Sequence, residues 1–127
     1  MTTTTPAGKR LLLVEDSEDT RDTLAFVLRR EGYAVETADN GRAALDQVRA
    51  APPDLVLLDM LLPVVDGWQV LRQVQADQQL AGLPIVIVTG TILTREWAEQ
   101  SGCAGFVGKP VDHGALLEEV RRCLSAA

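Results

Sequence analysis

Residues 55–59 read Leu-Val-Leu-Leu-Asp, four apolar residues in a row with a carboxylate directly after them. A strand that is apolar on both faces belongs in the middle of a sheet that is covered on two sides. Other short segments share this apolar, often β-branched character: residues 11–14, 33–37, 85–88 and 105–107. We interpret all five segments as strands of one parallel sheet.

Longer segments with a different periodicity separate these strands. Their apolar residues recur at spacings of three and four, which is the pattern of an amphipathic helix. The clear faces are Leu24, Val27 and Leu28; Ala44, Leu45 and Val48; Val70, Leu71 and Val74; and Leu116, Leu117, Val120 and Leu124. A further helix within residues 94–101 is short and its periodicity is poor. Strands that alternate with helices predict right-handed crossovers and an α/β fold.

Capping residues support the first two helices. Ser17 is followed by Glu18 and Asp19, an arrangement typical of an N-cap with acids in the positive first turn. Asn40 is placed to begin the second helix. The two prolines at residues 52–53 are expected to end that helix before the next strand.

Composition narrows the class of protein. The chain has 127 residues, a formal net charge of −6 and 46% hydrophobic residues, as expected for one globular domain. An acidic protein repels phosphate, so direct nucleic-acid binding is disfavoured. Residues 1–8 are Thr-rich without an apolar core, so we expect a flexible arm there and one domain over residues 9–127. No apolar run reaches the ~18 residues that span a membrane.

The two cysteines, Cys103 and Cys123, match neither a zinc pattern nor a disulfide framework. We interpret them as reduced, packed thiols of a cytoplasmic protein, with a pairing between them as the weaker alternative.

Charged and hydroxyl side chains follow the predicted strands where these end. Glu15 and Asp16 follow the first strand, Asp59 the third, Thr89 the fourth and Lys109 comes shortly after the fifth. Ligands of an open parallel sheet bind at the carboxyl ends of its strands, so these groups are expected to converge. Carboxylates that converge raise one another's pKa, and a divalent cation held by oxygen ligands relieves this repulsion. Mg²⁺ suits such an open, hydrated site.

A site of this composition is suited to accept a phosphoryl group. Three carboxylates, one divalent cation and one ammonium group balance in charge. Asp59 would be the nucleophile and form an acyl phosphate. The cation and Lys109 would neutralise charge on the transferring group, which is the main task in phosphoryl-transfer catalysis.

Four segments in order now resemble a known family. They are LLLVEDS at residues 11–17, LLDMLLPVVDG at 57–67, IVIVTG at 85–90 and GCAGFVGKP at 102–110. With this order and spacing the chain resembles, from about residue 9 to residue 125, a response-regulator receiver domain of two-component signalling, of the single-domain type found in chemotaxis. The resemblance implies a flavodoxin-like, doubly wound (βα)5 fold with a five-stranded parallel sheet in the order 2-1-3-4-5.

The resemblance also assigns roles at the acidic site. Asp59 matches the phosphoacceptor. Asp16 and Asp59 match direct ligands of Mg²⁺, for which Mn²⁺ can substitute, and Glu15 matches an acid that acts through water. The backbone carbonyl of Leu61 matches the remaining protein ligand. Without the family pattern, Glu15 and Asp16 would be interpreted as acids that stabilise the start of a helix.

Other matched residues belong to the switch. Thr89 matches the hydroxyl that binds a phosphoryl oxygen, and Lys109 the lysine that pairs with the phosphoryl group. Pro110 matches the proline of a Lys-Pro bond that is often cis in the family. Phe106 matches an aromatic residue that turns inward on activation; a plain core phenylalanine is an equal alternative. Gly90, where the family more often has alanine, leaves access to the phosphoryl group and loosens the loop.

Some positions depart from the family pattern. Leu61 and Thr91 occupy positions that tune dephosphorylation in the family, and Leu61 has no polar group to orient water, so we predict slow autodephosphorylation. The stretch from Thr89 to Lys109 is about two residues shorter than is usual for the family, and Val111 stands where phenylalanine is common. We therefore expect a non-standard partner surface on the fourth helix, fifth strand and fifth helix.

The resemblance implies a switch, not a metabolic enzyme. A histidine kinase or phosphotransfer protein would phosphorylate Asp59, and a downstream protein would bind the changed surface. Two alternatives stay open: a phosphorylation-independent interaction module of the same fold, and a hydrolase that forms an aspartyl phosphate. We expect core packing for Trp68 and Trp97, and a surface position for His113 at the start of the last helix.

Overall fold

In the computed structural model, residues 8–62, 64–90 and 93–125 are described, and five strands alternate with five helices along them. The strands are β1 (Arg10–Val14), β2 (Ala34–Ala38), β3 (Leu55–Asp59), β4 (Ile85–Thr89) and β5 (Gly105–Gly108). The helices are α1 (Glu18–Arg30), α2 (Gly41–Ala50), α3 (Gly67–Ala76), α4 (Arg95–Gln100) and α5 (His113–Ser125). The predicted flexible arm at residues 1–8 lies, apart from Gly8, outside the described residues, as do Pro63 and Thr91.

The strands form one parallel sheet in the order β2-β1-β3-β4-β5, as predicted. Successive side chains of a strand point to opposite faces, and here both faces are buried. On β3, Val56 and Leu58 join one core cluster and Leu55 and Leu57 join the other. Fully burying a leucine side chain stabilises a fold by roughly 1.5–3 kcal/mol, so the three central strands contribute a large share of its stability.

The helices cover the sheet on two sides. Buried residues of α2, α3 and α4 belong to the cluster of Leu58, while those of α1 and α5 belong to the cluster of Leu57. The expected caps are present: Ser17 accepts a hydrogen bond from Thr20 N, and Asn40 accepts one from Ala43 N. The longest helices of the described ranges have 13 residues, and none has the length and apolar character of a membrane span.

Two sequence expectations need correction at this level, and a third is confirmed. β2 begins at Ala34, one residue later than predicted, and as an edge strand it exposes Ala34 and Glu36. Trp68 was expected in the core, but its side chain is 43% exposed because it lies on the outer face at the start of α3. The short fourth helix is confirmed, with Thr94 as its N-cap.

Both cysteines are buried as free thiols, as expected. Cys103 belongs to the core cluster on one face of the sheet and Cys123 to the cluster on the other face, so the sheet separates them. Burial raises the pKa of Cys103 to about 11, which leaves an unreactive thiol at neutral pH.

Candidate functional site

The carboxyl ends of β1, β3, β4 and β5 bring the predicted site residues to one edge of the sheet. Asp59 is the last residue of β3 and Glu15 directly follows β1; both are buried, while Asp16 is exposed. Thr89 ends β4, and Lys109 directly follows β5. The parallel register that pairs Val14 with Leu58 sets these strand ends side by side.

Lys109 bridges the two buried carboxylates. Its Nζ lies 2.7 Å from Glu15 Oε1 and 3.1 Å from Asp59 Oδ2. The Lys109 backbone N–H also donates to the Thr89 carbonyl oxygen at 2.9 Å, which ties the end of β5 to the end of β4. The Lys109–Pro110 peptide bond is cis. The ammonium group is therefore held in the site by its own backbone as well as by its charge.

Burial and charge act against each other in this cluster. Burial raises the pKa of Glu15, hydrogen bonds from Lys109 and from Ser17 N–H oppose that effect, and the nearby charge of Asp59 adds to it. Burial by itself would lower the pKa of Lys109, but its hydrogen bonds to Glu15 and Asp59 outweigh burial and raise it. For Glu15 the effect of desolvation prevails over the hydrogen bonds, and its pKa is raised overall.

The loop after β3 holds the Asp59 carboxylate from the other side. The Leu61 backbone N–H donates to Asp59 Oδ1 at 3.0 Å. Asp66 caps α3 by accepting from Gln69 N at 3.0 Å. A Cβ at Gly67 would come within 2.6 Å of the Asp59 carbonyl oxygen, so only glycine lets α3 begin this close to the acceptor strand. Both of Asp59's carboxylate oxygens thus have a fixed donor.

The carboxylates fit a divalent cation. Glu15, Asp16 and Asp59 each offer an oxygen, and these atoms lie within 4.8 Å of one another. With Lys109 counted, the four side chains leave two negative charges, which one divalent cation would balance. Hard oxygen donors, one of them exposed to solvent, suit Mg²⁺ or Mn²⁺ better than a softer metal. The exposed position of Asp16 leaves room for water in the coordination shell.

Comparison with known families identifies the domain. A family model described as the response regulator receiver domain matches residues 11–121. The chain belongs to the response regulator receiver domain family. The receiver domain is 31% identical over 118 residues to protein PilH of Pseudomonas aeruginosa, which covers 91% of this chain and 98% of PilH.

Solved structures give the same result. Chemotaxis response regulator CheY4 of Vibrio cholerae superposes with a TM-score of 0.84 at 28% identity, covering 92% of this receiver domain and 99% of CheY4. The receiver domain of sensor histidine kinase PA1611 of Pseudomonas aeruginosa PAO1 gives a TM-score of 0.85 at 30% identity, covering 94% of this chain and 99% of that one. That structure holds a magnesium ion coordinated in its active-site cleft.

Of the predicted switch residues of the receiver domain, Thr89 and Gly90 lie next to Lys109, and Phe106 lies on β5. Thr89 is buried at the end of β4, and a Cβ at Gly90 would lie 3.4 Å from Lys109 Cβ. Phe106 lies farther off, on β5, half-buried against the core cluster that also contains Leu58. Its position is compatible with either alternative for this ring, and its role stays a prediction.

Sequence reasoning missed a buried carboxylate on the receiver domain's α5. Glu119 Oε2 accepts from Arg95 Nη1 at 2.8 Å, from Arg122 Nη2 at 3.0 Å and from Phe106 N at 2.9 Å. Burial opposes the charged form, but these hydrogen bonds prevail and lower the pKa of Glu119 to about 2. The sequence offered a clue, because Glu119 lies on the same helix face as Leu116, Val120 and Cys123.

Three exposed apolar side chains, on the loop after β3 and at the start of α3, were also missed. Leu61 is 64% exposed, Val64 81% and Trp68 43%, and they are three of the four large apolar side chains that the described residues expose. The Trp68 ring meets the Trp97 ring of α4 edge to face, with the centroids 4.7 Å apart. Residues 61, 62 and 64 are all apolar in the sequence, and only the fold shows that Leu61 and Val64 face solvent while Leu62 is buried.

Proposed function

We propose that this receiver domain accepts a phosphoryl group on Asp59 from a histidine kinase or a phosphotransfer protein, in a Mg²⁺-dependent reaction that changes its binding to a downstream protein. The observation that supports this most directly is the setting of the Asp59 carboxylate. It is buried at a strand end between the Lys109 ammonium and the Leu61 N–H, with two further carboxylates in reach of a shared cation.

The proposed reaction is a transfer between two nucleophiles. An Asp59 carboxylate oxygen attacks phosphorus, the O–P bond forms, and the N–P bond of the donor's phosphohistidine breaks. The electron pair stays on the imidazole nitrogen, which takes up a proton from water. Lys109, 3.1 Å from Asp59 Oδ2, would pair with the incoming phosphoryl oxygens. Before the transfer, the contact with Glu15 would hold the Lys109 ammonium next to Asp59.

Asp16, Asp59 and the Leu61 carbonyl would hold Mg²⁺, with Glu15 acting through water. When bound, the cation supplies charge neutralisation on the phosphoryl oxygens. The PA1611 receiver, with its magnesium ion in the cleft, supports this assignment by similarity. Thr89, at the end of β4 beside Lys109, would bind one phosphoryl oxygen and couple the site to the loop that leads to α4.

The test is stoichiometric phosphorylation of the full chain by acetyl phosphate with Mg²⁺, followed by intact mass. We expect one added phosphoryl group on the wild-type chain, none on Asp59→Asn and none when EDTA removes the cation. Asp46→Asn, which changes an exposed aspartate of α2, is the matched control and should label normally. An unlabelled wild-type chain would favour the phosphorylation-independent module, and multiple turnover of a phosphate ester would favour the hydrolase.

A further inference from the structure

We propose that Arg95, Glu119 and Arg122 close the free edge of β5, where they occupy backbone groups that would otherwise pair with the same strand of a second copy of this chain. We call these three side chains the edge cap. The edge cap would keep the receiver domain a monomer. It is present without phosphorylation of Asp59, so its test is independent of the proposed function.

β5 is a strand with one unpaired side. It is the last strand in the sheet order, so only β4 lies next to it. The Phe106 N–H donates to Glu119 and the Phe106 carbonyl oxygen accepts from Arg95, so both groups of this residue face away from β4. A row of backbone groups at such an edge is a template for pairing with another chain.

The edge cap supplies the hydrogen bonds that a sixth strand would supply. Glu119 Oε2 accepts from Phe106 N at 2.9 Å, and Arg95 Nη2 donates to the Phe106 carbonyl oxygen at 3.2 Å. Arg122 Nη2 donates to the carbonyl oxygen of Ala104, directly before β5, at 2.9 Å. Ion pairs of 2.8 Å and 3.0 Å join Glu119 to the two arginines, so the three side chains act as one unit.

The strand leaves room for this buried carboxylate. A Cβ at Gly105 would lie 2.5 Å from Glu119 Oε2, so the carboxylate needs a glycine opposite it. Glu119 shares the buried face of α5 with Leu116 and Val120, where an apolar residue would avoid the cost of burying a charge. Its contact with the β5 backbone is the physical reason that we assign to a carboxylate at this position.

The opposite edge of the sheet, at β2, offers a comparison. Arg29 Nη2 donates to the Val35 carbonyl oxygen at 2.8 Å, and Gln47 Nε2 donates to the Thr37 carbonyl oxygen at 3.2 Å. Helix side chains therefore cover backbone carbonyls at both edges. β2 also exposes Glu36, and a charge on an edge strand opposes pairing with a copy. β5 carries no charged side chain, so its edge depends on the edge cap.

A second copy of this chain is the partner that an open β5 edge would bind. The copy presents the same short, uncharged strand, and identical edges can pair across a two-fold axis. The net charge of −6 opposes this association, and salt screens the repulsion between the copies. We therefore expect an uncapped edge to associate most strongly at high salt.

The test is the double variant Arg95→Ala/Glu119→Ala of the full chain. It frees both backbone groups of Phe106 and keeps the net charge at −6, because it removes one charge of each sign. In light scattering at high salt, we expect the wild type to keep its monomer mass of 13.7 kDa at every concentration. The double variant should approach twice that mass as its concentration rises.

Amide exchange followed by NMR locates the contact. In the dilute double variant, the Phe106 N–H has lost its acceptor and should exchange faster than in the wild type. It should regain protection as the dimer forms, because a strand of the copy then supplies the acceptor. Arg72→Ala/Glu118→Ala is the matched control and should stay monomeric, since it removes the same two charges from exposed positions on α3 and α5.

A folded double variant that stays monomeric at every concentration would overturn the proposal. A wild-type dimer, a dimer of the control, or a dimer of the double variant with an unprotected Phe106 amide would overturn it as well. Circular dichroism checks the fold of each variant. If the alanine variant unfolds, Arg95→Ala/Glu119→Met takes its place and is judged by the same outcomes, because methionine refills the buried volume without a charge.

Discussion

Leu61 serves the site through its backbone while its side chain faces solvent. The N–H orients Asp59 Oδ1, and the exposed isobutyl group offers no hydrogen bond to a water molecule that could attack an acyl phosphate. The main chain at this position thus contacts Asp59, and the side chain would be available to adjust the lifetime of the proposed phosphorylated state.

We predict that Leu61→Asn shortens the lifetime of the Asp59 phosphoryl group by about tenfold, which corresponds to about 1.4 kcal/mol of barrier. The physical reason is that an amide can orient the attacking water, which leucine cannot. The measurement is decay of the phosphorylated mass in Mg²⁺ buffer after acetyl phosphate is removed. Leu61→Met should keep the wild-type lifetime, and a wild-type lifetime of only seconds would contradict the premise.

At the scale of elements, Glu119 joins α4, β5 and α5 through hydrogen bonds that the sequence did not predict. Arg95 is the first residue of α4, and it donates to both the Glu119 carboxylate and the Phe106 carbonyl oxygen. Arg122 donates to Glu119 and to the Ala104 carbonyl oxygen just before β5. The six-residue α4 is therefore held to β5 and α5 by hydrogen bonds and ion pairs in addition to the burial of Ala98.

The pKa of Glu119 predicts a pH dependence of stability. It is lowered from 4.5 to about 2 in the folded chain, so the stabilisation is complete above pH 4.5 and is lost as the pH falls from there towards 2. We expect Glu119→Gln to lower the free energy of unfolding by on the order of 2 kcal/mol at pH 7, a value reduced for the half-exposed arginines. The difference from wild type should shrink at pH 2.

Urea unfolding of both chains at several pH values measures this difference. Glu118→Gln is the matched control, because that residue is exposed on the same helix. A wild-type and a Glu119→Gln chain of equal stability at pH 7 would show that the arginines find other partners and that the network adds nothing.

At the scale of the whole molecule, the acidic site lies at strand ends that lead to α4 and to α3. Thr89 ends the strand that leads to this helix, and the Trp97 ring of α4 rests on Trp68 at the start of α3. α3 itself begins next to the acceptor strand, at Gly67. A change at Asp59 therefore has a short physical route to α4 through the packed ends of two elements.

We predict that Mg²⁺ with beryllofluoride, a mimic of the acyl phosphate, changes tryptophan emission in wavelength and intensity. A movement of α4 relative to α3 would alter the edge-to-face contact and the exposure of both rings. Single Trp68→Phe and Trp97→Phe variants assign the change to a ring, and Asp59→Asn should abolish it. Unchanged emission together with unchanged amide NMR spectra of α4 would show that the site is not coupled to this helix.

Much of the fold could be predicted from the sequence. Runs such as residues 55–58 are apolar at every position, which is typical of a strand covered on both faces, and the helices carry caps such as Ser17 and Asn40. These are local rules, because propensity, periodicity and capping depend on neighbours in the chain. The convergence of Glu15, Asp59 and Lys109 followed from the same logic, since parallel strands end at one edge.

What the sequence by itself determined is therefore the family, the order of elements and the edge where the acidic groups meet. The tertiary structure alone decided which apolar side chains near Asp59 face solvent, why Trp68 meets Trp97, and that Glu119 joins α4, β5 and α5. The physical reason is that exposure and ion pairing depend on residues far apart in the chain. Glu119 and Arg95 are separated by 24 positions, and no local pattern encodes their 2.8 Å contact.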